Sequence, residues 1–223
     1  MNESACIIFG AGGHAAVVIE LLMMHGPDRR YLILDPNPER WGTTVFGVPV
    51  IGGDSLVPQL RSQGAAEFVV GIGSADDCAV RARVFEQALS MGLKPLTLVH
   101  PAACRAKSAE VGAGSQLLAG SVVSVRARLG RNVIVNTGAI VEHDSVLGDH
   151  VHVATGAKLG GEVAVGTGAH IGIGASVRQQ IVIGGWAVVG AGAVVVRDVP
   201  DGMVVVGNPA RPLERSVFST EKG

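Results

Sequence analysis

Large rings are scarce in this sequence: phenylalanine, tryptophan and tyrosine together make up 4% of its 223 residues. An ordinary sandwich or helical bundle anchors its core on such rings, so neither is expected. Cysteine is scarcer still. Cys6, Cys78 and Cys104 are odd in number and far apart, which offers neither a disulfide framework nor a zinc site and suggests small core residues. Positive charge has no surplus either, with 18 basic against 19 acidic residues, and a nucleic-acid partner would need one to neutralise phosphate. Glycine or charge breaks the valine-rich C-terminal half every few residues, leaving no run of about 18 apolar residues to span a bilayer. The opening MNESACIIFGAGGH lacks a basic n-region and runs straight into an apolar segment, so a cytoplasmic protein is expected. What the chain does have is glycine, at 32 positions, and 48% hydrophobic residues, the makings of a core closed by many small turns.

Residues 1 to about 100 alternate between strand and helix patterns. Cys6-Ile7-Ile8-Phe9, Tyr31-Leu32-Ile33-Leu34, Glu67-Phe68-Val69-Val70 and Leu96-Thr97-Leu98-Val99 read as strands, and residues 13–25 and 77–91 as helices. That order implies a small parallel sheet with right-handed crossovers. From Val111 the rule changes to a period of six. Every sixth residue from Val111 to Val195 is Val, Leu or Ile, and four residues after most of them sits something small, such as Ser115, Ala127, Ala139, Ser145, Ala157, Ala169 or Ala193. At ordinary composition, such a run arises by chance about once in ten million. Neither helix nor flat strand has this period. It describes a coil of flat faces, each with one aliphatic residue inward, a small residue near the corner and glycine in the turns. Three faces make about 18 residues per coil, so the hexads predict about five stacked coils. The expected division is a Rossmann-like domain over 1–104 and the coil over 105–223.

The hexad Val165-Gly166-Thr167-Gly168-Ala169-His170, the N-terminal GAGGHAAVV, the segment VEHDSVLGDHVHVATGAKLGG and the terminal GNPAR at Gly207 to Arg211 together resemble one family. They are similar to bacterial sugar-nucleotide acetyltransferases of the sialic-acid O-acetyltransferase and 4-amino-sugar N-acetyltransferase group, which are hexapeptide-repeat acyltransferases. The resemblance implies a left-handed parallel β-helix, a homotrimer with sites between subunits, acetyl-CoA as cosubstrate, a nucleotide-sugar substrate and no metal.

Acetyl transfer to an amine needs a base, a donor to the developing oxyanion and close positioning. His143 is followed by Asp144, a carboxylate that can hold one imidazole tautomer. The resemblance makes His143 the general base, Asp144 its orienter and Gly161 the backbone oxyanion donor. It also places His152 at the acetyl-CoA end, with Gly161, Ile173 and Ala191 along the donor, and lets Asn136 reach the sugar. His152 lies nine residues beyond His143, half a coil, and so on a different face. With no base evident beside Cys104, direct attack by the amine is simpler than an acyl-cysteine route.

Gly10-Ala11-Gly12-Gly13-His14 follows a strand and opens a helix, a setting for phosphate. Asp35 ends the next strand, where a carboxylate can bond ribose hydroxyls. Gly71-Ile72-Gly73-Ser74 is expected as the opposite wall. The resemblance carries His14 over to the sugar-nucleotide site. The segment Asp35-Pro36-Asn37-Pro38 departs from the family's paired aspartates, which leaves UDP, GDP and dTDP sugars open. Arg81 reads either as a family arginine or as a solvated helix charge. Three other readings remain: O-acetylation of a sialic-acid-type sugar, a γ-carbonic-anhydrase-like metalloenzyme using His143, His150, His152 and His170, and a noncatalytic scaffold.

Overall fold

The computed structural model describes residues 5–26, 28–74 and 77–213. The first hundred residues fold as read, with additions. β1 (Cys6–Phe9), α1 (Gly13–His25) and β2 (Tyr31–Leu34) lead into a hairpin of β3 (Thr44–Val45) and β4 (Val48–Gly52). After them come α2 (Val57–Ser62), β5 (Glu67–Val70), α3 (Ala79–Ser90) and β6 (Lys94–Pro95). The six strands order as β3-β4-β2-β1-β5-β6, all parallel except the β3–β4 pair. The central β1 and β2 are apolar at every position and fully buried, as parallel strands covered on both faces must be.

The strand expected at Leu96–Val99 divides instead. Lys94–Pro95 closes the edge of the first sheet beside β5, while Leu98–Val99 pairs with Gln116–Leu117 and so begins the coil. Cys104–Arg105 likewise pairs with Val122–Val123, so the division drawn between 104 and 105 falls inside the first turn of the winding. The reason is physical: Leu98 is part of both pairings' neighbourhood, buried against the N-terminal core while its backbone joins the coil.

From there the chain winds as a triangular prism. Parallel two-residue strands stack at intervals of 18 residues, so Gln116 lies under Ile134, Ile134 under His152, and His152 under His170. The first face, which starts at Leu98–Val99, carries an eight-stranded sheet, the second a six-stranded one and the third five strands. From Val111 on, the second residue of each two-residue coil strand points inward, and Leu117, Val135, Val141, Leu159 and Ile171 are among those sealed in one continuous core. The small residues two positions ahead of each strand's second residue are buried with them, and the hydroxyls of Ser115 and Ser145 are satisfied there. Ser115 Oγ, for example, donates to the Gly130 carbonyl at 3.0 Å and accepts the Val133 N–H at 3.0 Å. No long loop interrupts a coil. The period fails after Val195, where Val188–Val189 pairs with Val204–Val205, 16 residues on. GNPAR then turns the chain so that Arg211–Pro212 runs antiparallel to Val205–Val206.

The outward residues of the first face are the ones that hold the two parts together. Leu98, Leu118 and Ile134 join Ile8, Val18, Ile19 and Leu22 in one apolar cluster. Arg81, read as family arginine or solvated charge, is wholly buried here. Its guanidinium donates to the carbonyls of Asn132 and His150 across the joint, and its Nε reaches Ser74 Oγ at 3.4 Å. Burial holds its pKa below the usual arginine value.

Candidate active site

Two clefts and one exposed corner hold the residues expected to carry the chemistry. The first cleft, about 460 Å³, is lined by the loop from Gly10 to His14, by Asp35, Pro36, Asn37 and Arg40, and by Gly71 to Gly73. Every nucleotide-site residue expected in the N-terminal half therefore meets there: Gly10, Gly12, Gly13, His14, Asp35 and Gly73. Gly10 has φ +97°, and a Cβ on it would lie 2.6 Å from Ile72, so only glycine turns this corner. Gly12 caps α1 with no side-chain hydrogen bond, which leaves first-turn N–H groups available to an anion.

Asp35 serves this cleft differently from the expectation. Its Oδ2 accepts the Ala11 N–H at 2.8 Å and its Oδ1 the Asn37 N–H at 2.9 Å, so the buried carboxylate ties the two loops of the cleft together. His14 Nε2 meets Gln116 Oε1 at 2.8 Å, and Gln116 Nε2 donates to the Val70 carbonyl at 2.8 Å. Because that carbonyl can only accept, the glutamine presents its oxygen to the ring, and His14 carries its proton on Nε2. Burial lowers the His14 pKa, which keeps the ring neutral.

The second cleft, about 340 Å³, opens on the first face of the prism and is lined by Asn136, His152, Thr155, His170, Ile173 and Ala191, with Ser74 on its N-terminal side. It brings together three expected donor-site residues, His152, Ile173 and Ala191. Asn136, expected at the sugar, lies here as well. Its Oδ1 accepts the Thr137 N–H at 2.8 Å, so its Nδ2 is the group that donates to His152 Nε2 at 3.2 Å. His152 packs edge-to-face on His170 with centroids 5.0 Å apart. Burial, and then the neighbouring His170, push the His152 pKa well below the ordinary histidine value.

The exposed corner lies between the second and third faces. His143 Nδ1 meets Asp144 Oδ2 at 2.8 Å, and half of the His143 side chain is open to solvent. The ring lies over Gly161 in the next coil, so closely that a Cβ there would come within 2.5 Å of Nε2. The Gly161 N–H donates to no group among the described residues. A carboxylate on Nδ1 leaves Nε2 as the basic nitrogen, above a bare backbone N–H. The residues of His143, Asp144 and Gly161 thus come together, apart from both clefts.

A family model described as the PglD N-terminal domain matches residues 5–88. Perosamine N-acetyltransferase from Caulobacter crescentus, solved with CoA and GDP-perosamine, is 37% identical over 95% of this chain and 97% of its own, with a TM-score of 0.88. The acetyltransferase domain of PglB from Neisseria gonorrhoeae, solved with acetyl coenzyme A, is 39% identical over 95% of this chain and 100% of its own, TM-score 0.85. The chain belongs to the bacterial sugar-nucleotide acetyltransferases of the hexapeptide-repeat family. WeeI from Acinetobacter baumannii is similar at 29% identity over 94% of this chain and 100% of its own, TM-score 0.84. Comparison with curated protein sequences gives no match.

The coil of this acetyltransferase is therefore the left-handed parallel β-helix. Its four outer histidines do not converge as a metalloenzyme would need. His150 bonds Asn132 Nδ2 at 3.0 Å at another corner, His152 and His170 pair beneath the second cleft, and His143 stands alone with Asp144. Cys6 and Cys78 are buried as small core residues, and burial pushes the Cys6 thiol up to about 12. Cys104 is exposed instead, because it points outward from the second face of the first coil. Sequence reading missed Arg40, Gln116 and Arg126. Arg40 reaches the Ala11 carbonyl from the Pro38–Arg40 turn and adds a cation to the first cleft. Gln116 had one available signal, as an amide on an otherwise apolar strand. Arg126 stands one coil ahead of Asp144 and binds it through both carboxylate oxygens.

Proposed function

We propose that this acetyltransferase moves the acetyl group of acetyl-CoA onto the amine of a nucleotide-linked amino sugar, with His143 as general base. The observation that carries this is the His143–Asp144 pair whose free Nε2 overlies the unsubstituted Gly161. The relatives support it, since the Caulobacter enzyme holds CoA with GDP-perosamine and the Neisseria domain holds acetyl coenzyme A. The sugar class is a 4-amino-4,6-dideoxyhexose, as the resemblance implies.

In this reading the first cleft takes the nucleotide diphosphate against the first turn of α1 and Arg40. The amine nitrogen attacks the thioester carbonyl carbon while His143 Nε2 takes its proton. The Gly161 N–H faces the oxyanion that forms, and collapse breaks the C–S bond, so the thiolate leaves and is protonated to the thiol. Neutral His152, held by Asn136, lines the pantetheine end with Ile173 and Ala191. His143 sits at a corner that the second cleft does not share, so a complete site takes a neighbouring copy. A homotrimer with sites between subunits satisfies that geometry and closes on itself. Among the described residues no helix is long and apolar enough to cross a membrane, and we place the enzyme in the cytoplasm, where both substrates are at hand.

Purified protein with acetyl-CoA and a panel of UDP-, GDP- and dTDP-linked amino sugars, read by thiol release, tests the reading. Turnover on an amine supports it. Silence on every amine with turnover on a sialic-acid-type hydroxyl overturns it in favour of O-acetylation.

A further inference from the structure

The corners of the prism are not built alike. At the corner between the first and second faces the left-handed position is glycine in five successive coils, at Gly120, Gly138, Gly156, Gly174 and Gly192. At the corner that bears His143 the same backbone conformation is adopted by Arg126 (φ 58°), Asp144 (φ 59°), Glu162 (φ 60°) and Gln180 (φ 62°). A side chain in this region costs about 1 kcal/mol or more that glycine avoids.

The first two explain themselves by geometry. Arg126 Nε donates to Asp144 Oδ1 at 2.6 Å and Arg126 Nη2 to Oδ2 at 2.8 Å, a two-pronged bond that fixes the plane of the carboxylate. The same Oδ2 accepts from His143 Nδ1 at 2.8 Å. The Arg126 backbone is held in turn by its N–H on Ser108 Oγ at 3.2 Å. With Arg126 two-thirds exposed, the ion pair contributes little to stability, so its worth lies in aim. We infer that Arg126 is a positioning residue for the general base: it locks the Asp144 carboxylate, and through it sets the orientation of the His143 ring. This rests on the reading of His143 as base. Arg126, and then His143, also hold the Asp144 carboxyl far below the usual carboxylate range, so Asp144 stays ionised whenever His143 works. The other charged groups around the ring are Glu142, which accepts the His143 N–H at 3.1 Å, and Glu162, whose N–H bonds the His143 carbonyl; Gly161 brings none.

The test compares native protein with Arg126→Ala, Arg126→Lys and His143→Ala on the accepted amino sugar. Arg126→Ala is expected to lower kcat about tenfold, with KM for the nucleotide sugar unchanged. Arg126→Lys keeps the charge but not the fork, so its kcat falls between the two. A native kcat in Arg126→Ala beside a silent His143→Ala overturns the inference alone, as does a loss confined to KM. An active His143→Ala overturns the base assignment and this inference with it.

Discussion

At the scale of single residues, the proposed catalytic corner depends on what is missing from Gly161. Its backbone needs no special torsion, yet a methyl group there would occupy the space of the His143 ring. Gly161→Ala is expected to lower kcat about 100-fold by displacing the base, while the thermal midpoint moves by only a few degrees. Thiol release and a melting curve on the same preparation check both halves. His143 and Asp144 were readable because they are adjacent in sequence. Gly161 was recognisable only by family resemblance, since one glycine among 32 carries no mark of its own. Arg126 was invisible, because its partner lies 18 residues away and only the coil makes them neighbours.

Among the elements, the joint between α3, the Gly71–Ser74 loop and the first face decides how the clefts stand to each other. Arg81 satisfies two carbonyls of the β-helix from within that joint. Arg81→Met leaves both carbonyls buried without donors and is expected to cost about 2–4 kcal/mol in denaturant unfolding. The same joint makes stability depend on pH. Burial lowers the pKa of His14, His150 and His152, so the unfolded chain binds more protons than the native one below neutrality. Their contribution is complete above about pH 6.5 and erodes as pH falls toward the lower folded values. Thermal midpoints should therefore drop between pH 7 and pH 5, and a His152→Gln variant should flatten that slope. β1, β2, β5, α1 and α3 followed from apolar runs and helical spacing, whereas the β3–β4 hairpin and α2 were not read. Leu96–Val99 has a strand pattern that serves either sheet, and only the pairing of Leu98 with Gln116 decides which.

For the whole molecule, the period of six was legible at once, since an inward aliphatic residue is needed wherever a two-residue strand seals the core. The start of the winding was not, because Arg105 breaks the pattern while its backbone still pairs with Val123. Nor did periodicity show which face would carry the N-terminal domain. That depends on Leu98, Leu118 and Ile134, outward residues whose apolar character has meaning only in three dimensions. The trimer proposed above predicts a sedimenting mass of three times 22.8 kDa, and a stable monomer of full activity would speak against it. The central claim is the proton transfer at His143, and the turnover of His143→Ala in acetyl-CoA-dependent acetylation tests it most directly. A fall in kcat of about 100- to 10,000-fold with nucleotide-sugar and CoA binding intact is the predicted result. A kcat within a few-fold of the native protein would contradict it.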